Sequence, residues 1–294
     1  MPSSPSARRN GRGDARHSSI ANTGVSAHNR ALRPESGSDT SAVMADDIIL
    51  ETRGLTKEFK GFVAVNGVDL AVRRGTIHAL IGPNGAGKTT CFNLLTHFLT
   101  PTRGSIFYNG REITGAAPSA IARMGMVRSF QISATFPHLT VLENVRIALQ
   151  RKRGHSYDFW RSARTLDALD NRALELIEAV GLSTYARTPA VELPYGRKRA
   201  LEMATTLALD PEMMLLDEPT AGMTHEDVER ITELIRTMAV NRTVLMVEHN
   251  LSVVSTLSGH ITVLARGQVL AQGDYAAVSK NPDVVQAYLG TAHA

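Results

Sequence analysis

Residues Gly82-Pro83-Asn84-Gly85-Ala86-Gly87-Lys88-Thr89 carry the G-x-x-x-x-G-K-[ST] spacing of a phosphate-binding loop. Glycines at 82, 85 and 87 let the backbone curl until successive N–H groups point at phosphate oxygens, and the helix that follows adds the positive end of its dipole. In such a loop Lys88 reaches the β- and γ-phosphates, the Thr89 hydroxyl ligates Mg²⁺, and Thr90 continues the first turn. A second run, Met213-Met-Leu-Leu-Asp217-Glu218-Pro219, is apolar until it ends in two acids. Strands of a parallel sheet present ligands at their carboxyl ends. There Asp217 can hold the Mg²⁺ shell, while Glu218 faces the γ-phosphate and polarises the attacking water. An apolar run ending in Asp-Glu is common by itself; paired with the glycine loop it specifies nucleoside triphosphate chemistry.

Both motifs need strands and helices around them. Ile77–Ile81 reads as the buried strand before the loop, and Thr90–Phe98 as the helix after it, with Phe92, Leu95 and Phe98 on one side. Further strands are expected at Ile48–Thr52, Val68–Val72, Ser105–Tyr108, Met124–Ser129, Thr243–Val247 and Ile261–Ala265. Arg74-Gly75 and Asn109-Gly110 are turn signals that let the early strands pair antiparallel. Between residues 141 and 209 only helical patterns occur, such as the stripe Ala173, Leu176, Ile177 and Val180. The reading is an α/β nucleotide-binding core interrupted by helices, to which the chain returns at Met213. Thr224 has the position of a helix N-cap with Asp227 closing a capping box, followed by the stripe Val228, Ile231 and Ile235. Asn281-Pro282 opens a short terminal helix that Gly290 stops.

At this point the chain resembles the ATPase subunit of an ABC transporter. Other motifs of that family fall in order over residues 48–290. Gln131, in Arg-Ser-Phe-Gln131, matches the glutamine that contacts Mg²⁺ and the transmembrane partner. His249, in Leu-Met-Val-Glu-His249, matches the switch histidine of the γ-phosphate. Phe59 sits where an aromatic stacks on adenine. The run Leu193-Pro194-Tyr195-Gly196 falls where the family has Leu-Ser-Gly-Gly-Gln, a loop that closes over the γ-phosphate of the opposite subunit. Pro194 brings neither hydroxyl nor N–H, so dipole and backbone character would survive without a side-chain hydrogen bond. Branched-chain amino acid importers are similar in often carrying a Tyr-Gly variant here.

The resemblance implies an α/β fold of P-loop NTPase (RecA-like) type, with an antiparallel β subdomain and an inserted helical subdomain at about 141–209. The ATPase domain would span 47–290, between a disordered basic extension, 1–46, and a tail, 291–294. It implies ATP and Mg²⁺ as ligands and a second ATPase subunit, the same or different, as partner. Transmembrane permease subunits and, indirectly, a periplasmic solute-binding protein would complete the assembly at the cytoplasmic face of a bacterial inner membrane. The implied function is ATP-driven dimer closure powering import of branched-chain or other amino acids. Two alternatives remain open: a lipid or lipopolysaccharide exporter ATPase, whose relatives generally keep an intact signature, and a soluble ATPase of translation or repair.

Composition agrees with these classes. Of the 294 residues 43% are hydrophobic, ample for a core, and the formal charge of +4 is small. Residues 1–43 hold six arginines against Asp14, Glu35 and Asp39, a net of +3, so the rest is nearly neutral and no nucleic-acid footprint is expected. The N-terminal stretch lacks an apolar core and reads as disordered, a dispensable extension or an upstream start, with Met44 just before the first strand. The single cysteine, Cys91, excludes an internal disulfide and reads as a packed helix residue. Gln150–Asp167 is basic and holds the sole tryptophan, Trp160, beside Tyr157 and Phe159; it is read as a surface for a membrane partner or lipid headgroups.

Overall fold

The computed structural model describes residues 47–129, 135–152 and 163–289. The chain opens with a long hairpin, β1 (Ile48–Phe59) and β2 (Phe62–Arg73). Lys60 and Gly61 turn it with φ of 47° and 90°, the left-handed pair that a two-residue hairpin turn requires. β4 (Arg103–Tyr108) and the short β5 (Arg111–Glu112) complete an antiparallel sheet in the order β2-β1-β4-β5. The two hairpin strands run well past the expected Ile48–Thr52 and Val68–Val72. Their outer ends, including Lys57, Glu58 and Phe62, are too polar or too exposed to show a buried face.

The second sheet contains β3 (Ile77–Ile81), β6 (Met126–Ser129), β7 (Met213–Asp217), β8 (Thr243–Val247), β9 (His260–Ala265) and β10 (Gln268–Gly273). Its order is β10-β9-β3-β8-β7-β6, with every pairing parallel except the edge pair β9–β10. β6 starts two residues later than expected, because Met124 caps helix α2 (Pro118–Arg123) and Gly125 has φ 99°.

Alternation across this sheet builds two cores. Leu80, Met213, Leu215, Leu245 and Val247 face the antiparallel sheet and helix α1 (Lys88–Leu95), where Phe92, Leu94 and Leu95 are fully buried. Ala79, Ile81, Met214, Leu216, Val244 and Met246 face the other layer. That layer includes α3 (Val141–Lys152), α4 (Ala163–Ala179), α5 (Tyr195–Ala208), α6 (His225–Met238) and α7 (Leu251–Leu257). β8 is buried at all five positions, as a parallel strand covered on both faces must be. α1 ends at Leu95, earlier than the Phe98 expected, and Phe98 is half exposed. Short helices α8 (Tyr275–Ser279) and α9 (Pro282–Leu289) follow β10. Asn281 Oδ1 accepts from the N–H of Asp283 at 2.9 Å and opens α9; Gly290 lies outside the described residues.

Candidate nucleotide site

The loop after β3 is seated against backbone rather than side chains. Gly87, with φ 96°, is the N-cap of α1, and a Cβ there would lie 2.5 Å from the Ala64 carbonyl oxygen of β2. A Cβ on Gly82 would come within 2.1 Å of the Leu264 carbonyl oxygen of β9. Gly267 donates its N–H to Ala86 O at 3.0 Å and accepts from Asn66 N–H at 2.8 Å, closing the brace between loop and both sheets. No side chain caps the first turn of α1, so its amides remain available to an anion.

Lys88 is buried, and its Nζ donates to Gly82 O at 2.7 Å and Pro83 O at 3.0 Å. Burial pushes its pKa down, while the charges of Glu218 and Asp217 act in the opposite direction. Thr89 is exposed on the first turn, and Pro83, Asn84, Gly85 and Thr90 lie partly or fully open along the rim.

Strand order explains the convergence. β3, β8, β7 and β6 are neighbours and parallel, so their carboxyl ends share one sheet edge. Asp217 ends β7 opposite Val247 of β8. Glu218 follows at φ 47°, a strained setting for a residue with a Cβ, of a kind concentrated at functional sites. Its N–H donates to Val247 O at 2.9 Å and its carbonyl accepts from Ala221 N–H at 3.1 Å. Glu218 stays accessible at this end while Asp217 is nearly buried, and His249 Nδ1 lies 3.8 Å from Glu218 Oε2.

Two charged residues at this edge were not expected from the sequence. Glu248 is completely buried, and all of its partners are donors. One oxygen accepts from the N–H (3.1 Å) and hydroxyl of Thr220; the other accepts from the N–H groups of His249 at 2.8 Å and Asn250 at 2.9 Å. It thus buckles the segment after Glu218-Pro219 to the one carrying His249. Arg128, on β6, donates to Asp217 Oδ2 at 2.5 Å with both side chains nearly buried. A signal existed for each: an arginine within a short buried strand and an acid flush with an apolar strand end both demand partners.

Phe59 ends β1 about half exposed, with Lys57 Nζ 5.1 Å from its ring centre. Gln131 lies outside the described residues, as do Tyr157, Phe159 and Trp160. Leu193 is buried; Pro194 is the N-cap of α5 and Tyr195 its first residue. Tyr195 accepts from Arg199 at 2.9 Å and donates to Ala221 O at 3.3 Å. Gly196 sits where a Cβ would be 2.6 Å from Cγ of Asp227. Thr224 caps α6, accepting from Asp227 N–H at 3.3 Å, while the return bond runs from its hydroxyl to the Asp227 carboxylate rather than from its N–H.

A family profile described as ABC transporter matches residues 65–221, more than half the chain. The chain belongs to the ABC transporter ATPase family. A second profile, branched-chain amino acid ATP-binding cassette transporter, matches residues 268–294 of the cassette. It is 41% identical to BraF of Pseudomonas aeruginosa, a high-affinity branched-chain amino acid transport ATP-binding protein, covering 83% of this chain and 98% of the relative. It is 40% identical to LivG of Escherichia coli, of the same description, over 83% and 98%. Among solved structures, the ADP conformation of MJ1267, an ATP-binding cassette of an ABC transporter, superposes with a TM-score of 0.73. That cassette is 28% identical, over 83% of this chain and 100% of the other.

Proposed function

We propose that this cassette binds Mg-ATP at the edge formed by β3, β8, β7 and β6 and hydrolyses it to drive import of branched-chain or related amino acids through membrane-embedded partners. The convergence of Lys88, Asp217, Glu218 and His249 on one sheet edge carries the reading of the chemistry; the similarity to BraF and LivG supports the choice of solute.

The phosphate loop binds the triphosphate through the open amides of α1, with Lys88 against the β- and γ-phosphates. Phe59, accessible on the hairpin, offers a ring face to adenine. Glu218 orients the attacking water as general base, and His249, 3.8 Å away, hydrogen-bonds the γ-phosphate. A divalent ion fits the donors present. Asp217 keeps one carboxylate oxygen free of Arg128, and the Thr89 hydroxyl is exposed on α1. Mg²⁺ takes few protein oxygens and completes its shell with phosphate and water, which these two donors suit. Gln131 follows β6 and would supply a third oxygen. Bound there, the ion neutralises charge on the β- and γ-phosphate oxygens.

A second cassette, identical or different, closes over this site, and the Leu193–Gly196 loop in turn closes over the partner's nucleotide. Among the described residues no helix is long and apolar enough to cross a membrane. In this reading, supported by the similarity to BraF and LivG, the cassette is a peripheral subunit at the cytoplasmic face, served by permease subunits and a periplasmic binding protein. The test is uptake of labelled leucine by cells whose only copy carries Lys88→Ala. Accumulation is expected to fall to background with the protein still present; uptake at the parental rate would overturn the assignment.

A further inference from the structure

Arg128 makes contacts that nucleotide binding alone does not require. It lies on β6 beside Leu215 of β7, and only 5% of its side chain is exposed. One guanidinium nitrogen donates to Asp217 Oδ2 at 2.5 Å. Another donates to Asn93 Oδ1 at 2.6 Å and Thr96 Oγ1 at 3.2 Å, both at the far end of α1. Its carbon lies 5.3 Å from the centre of the Phe92 ring and 5.6 Å from that of Phe98. The planar fork is therefore fixed by three polar partners and two aromatic rings, which a flexible lysine could not satisfy together.

These contacts have one consequence for the nucleotide edge. Thr89 is on α1 and Asp217 ends β7, so a metal held by both needs the helix and the strand in fixed register. Arg128 bonds to both elements. We propose that Arg128 is a positioning residue for the divalent ion: it clamps Asp217 to α1 so that the carboxylate and the Thr89 hydroxyl meet the metal without rearrangement. This rests on the assignment of Asp217 and Thr89 as metal ligands. The opposite expectation, from charge alone, is that a guanidinium bound to Asp217 repels a cation and weakens its binding. The two accounts predict opposite signs.

The experiment measures affinity of the full chain for a fluorescent, non-hydrolysable ATP analogue with Mg²⁺ and with EDTA. By linkage, the ratio of the two affinities equals the factor by which the protein tightens the nucleotide's hold on the metal. Arg128→Met keeps an apolar stem between Phe92 and Phe98 and removes the fork. It should cut the ratio about tenfold, the usual worth of a charge-assisted bond, and leave the EDTA affinity within about twofold. Arg128→Lys should fall between. Asn93→Ala, which leaves the ion pair intact, should lower the ratio about threefold and carries the test if Arg128→Met does not fold. An unchanged ratio, a raised ratio, or an equal loss with and without metal would each overturn the proposal. Asp217→Asn separates the layers: if it leaves the ratio untouched, the ligand assignment itself is wrong.

Discussion

The phosphate loop and the Leu193–Gly196 loop both deliver a helix N-terminus, to α1 and α5, yet the molecule holds them by different means. Gly82 and Gly87 are pressed against carbonyl oxygens of β9 and β2, and the loop is bracketed by Gly267. Backbone cannot move aside without disturbing two sheets. The second loop rests on side chains: Tyr195 leans on Ala221 and Arg199, and Gly196 faces the carboxylate of Asp227. Around the first loop stand a lysine, three acids and a histidine; the second offers a proline at its N-cap position, without N–H or side-chain oxygen. In the proposed dimer this difference would give the chain chemistry at one half-site and mainly shape and helix dipole at the other.

Alanine at the two glycines should expose that contrast most strongly. Gly87→Ala forces a Cβ into Ala64 O from a left-handed backbone. A loss of about 2 kcal/mol for the backbone conformation alone corresponds to a fall in Tm of roughly 6 °C for a domain of this size, with nucleotide binding abolished. Gly196→Ala meets only the movable end of Asp227, and should cost about 1 kcal/mol with the chain's own nucleotide affinity unchanged. Thermal melts with and without ATP read both. Equal losses would mean that the loops are held alike.

Glu248→Gln tests the chemical half at a distance. All four groups on Glu248 donate, so an amide must turn its NH₂ toward donors, either those of Thr220 or the N–H groups of His249 and Asn250. Misplacing the His249 segment should lower kcat about tenfold, near the worth of one hydrogen bond to a charged group. KM for ATP should stay within about twofold, because the phosphate loop is untouched. Pro194→Ser sits at the small end of the range. It adds a hydroxyl to a loop that, in the proposed dimer, would meet another subunit's nucleotide, and hydrolysis by the isolated chain should stay within about threefold in a steady-state assay. A large gain would show that this loop limits turnover here.

The contrast also explains what could be read from sequence. The phosphate loop is legible because its chemistry is local: glycines, lysine and threonine must stand at fixed spacing on consecutive residues. Asp217 is legible because an apolar strand announces the end where it sits; His249 is read only through the family resemblance, and the parallel order brings the two strand ends together. The partnerships that hold the edge are not local. Arg128 reaches Asp217 across 89 positions and Glu248 reaches Thr220 across 28, and no spacing rule connects such pairs. The outer hairpin and β5 were missed for another reason: Phe59, Phe62 and Val63 are apolar yet exposed beside polar Lys57 and Glu58, and β5 is only Arg111-Glu112, so neither shows a period.

The central claim is that Glu218, on its strained turn beside His249, activates the water that attacks ATP bound at this edge. Steady-state hydrolysis by Glu218→Gln, measured beside its retention of radiolabelled ATP, tests it most directly. Hydrolysis should fall by about a hundredfold or more, the range for loss of a general base, while ATP remains bound. A variant that retains ATP and hydrolyses it within a few-fold of the parent rate would contradict the account.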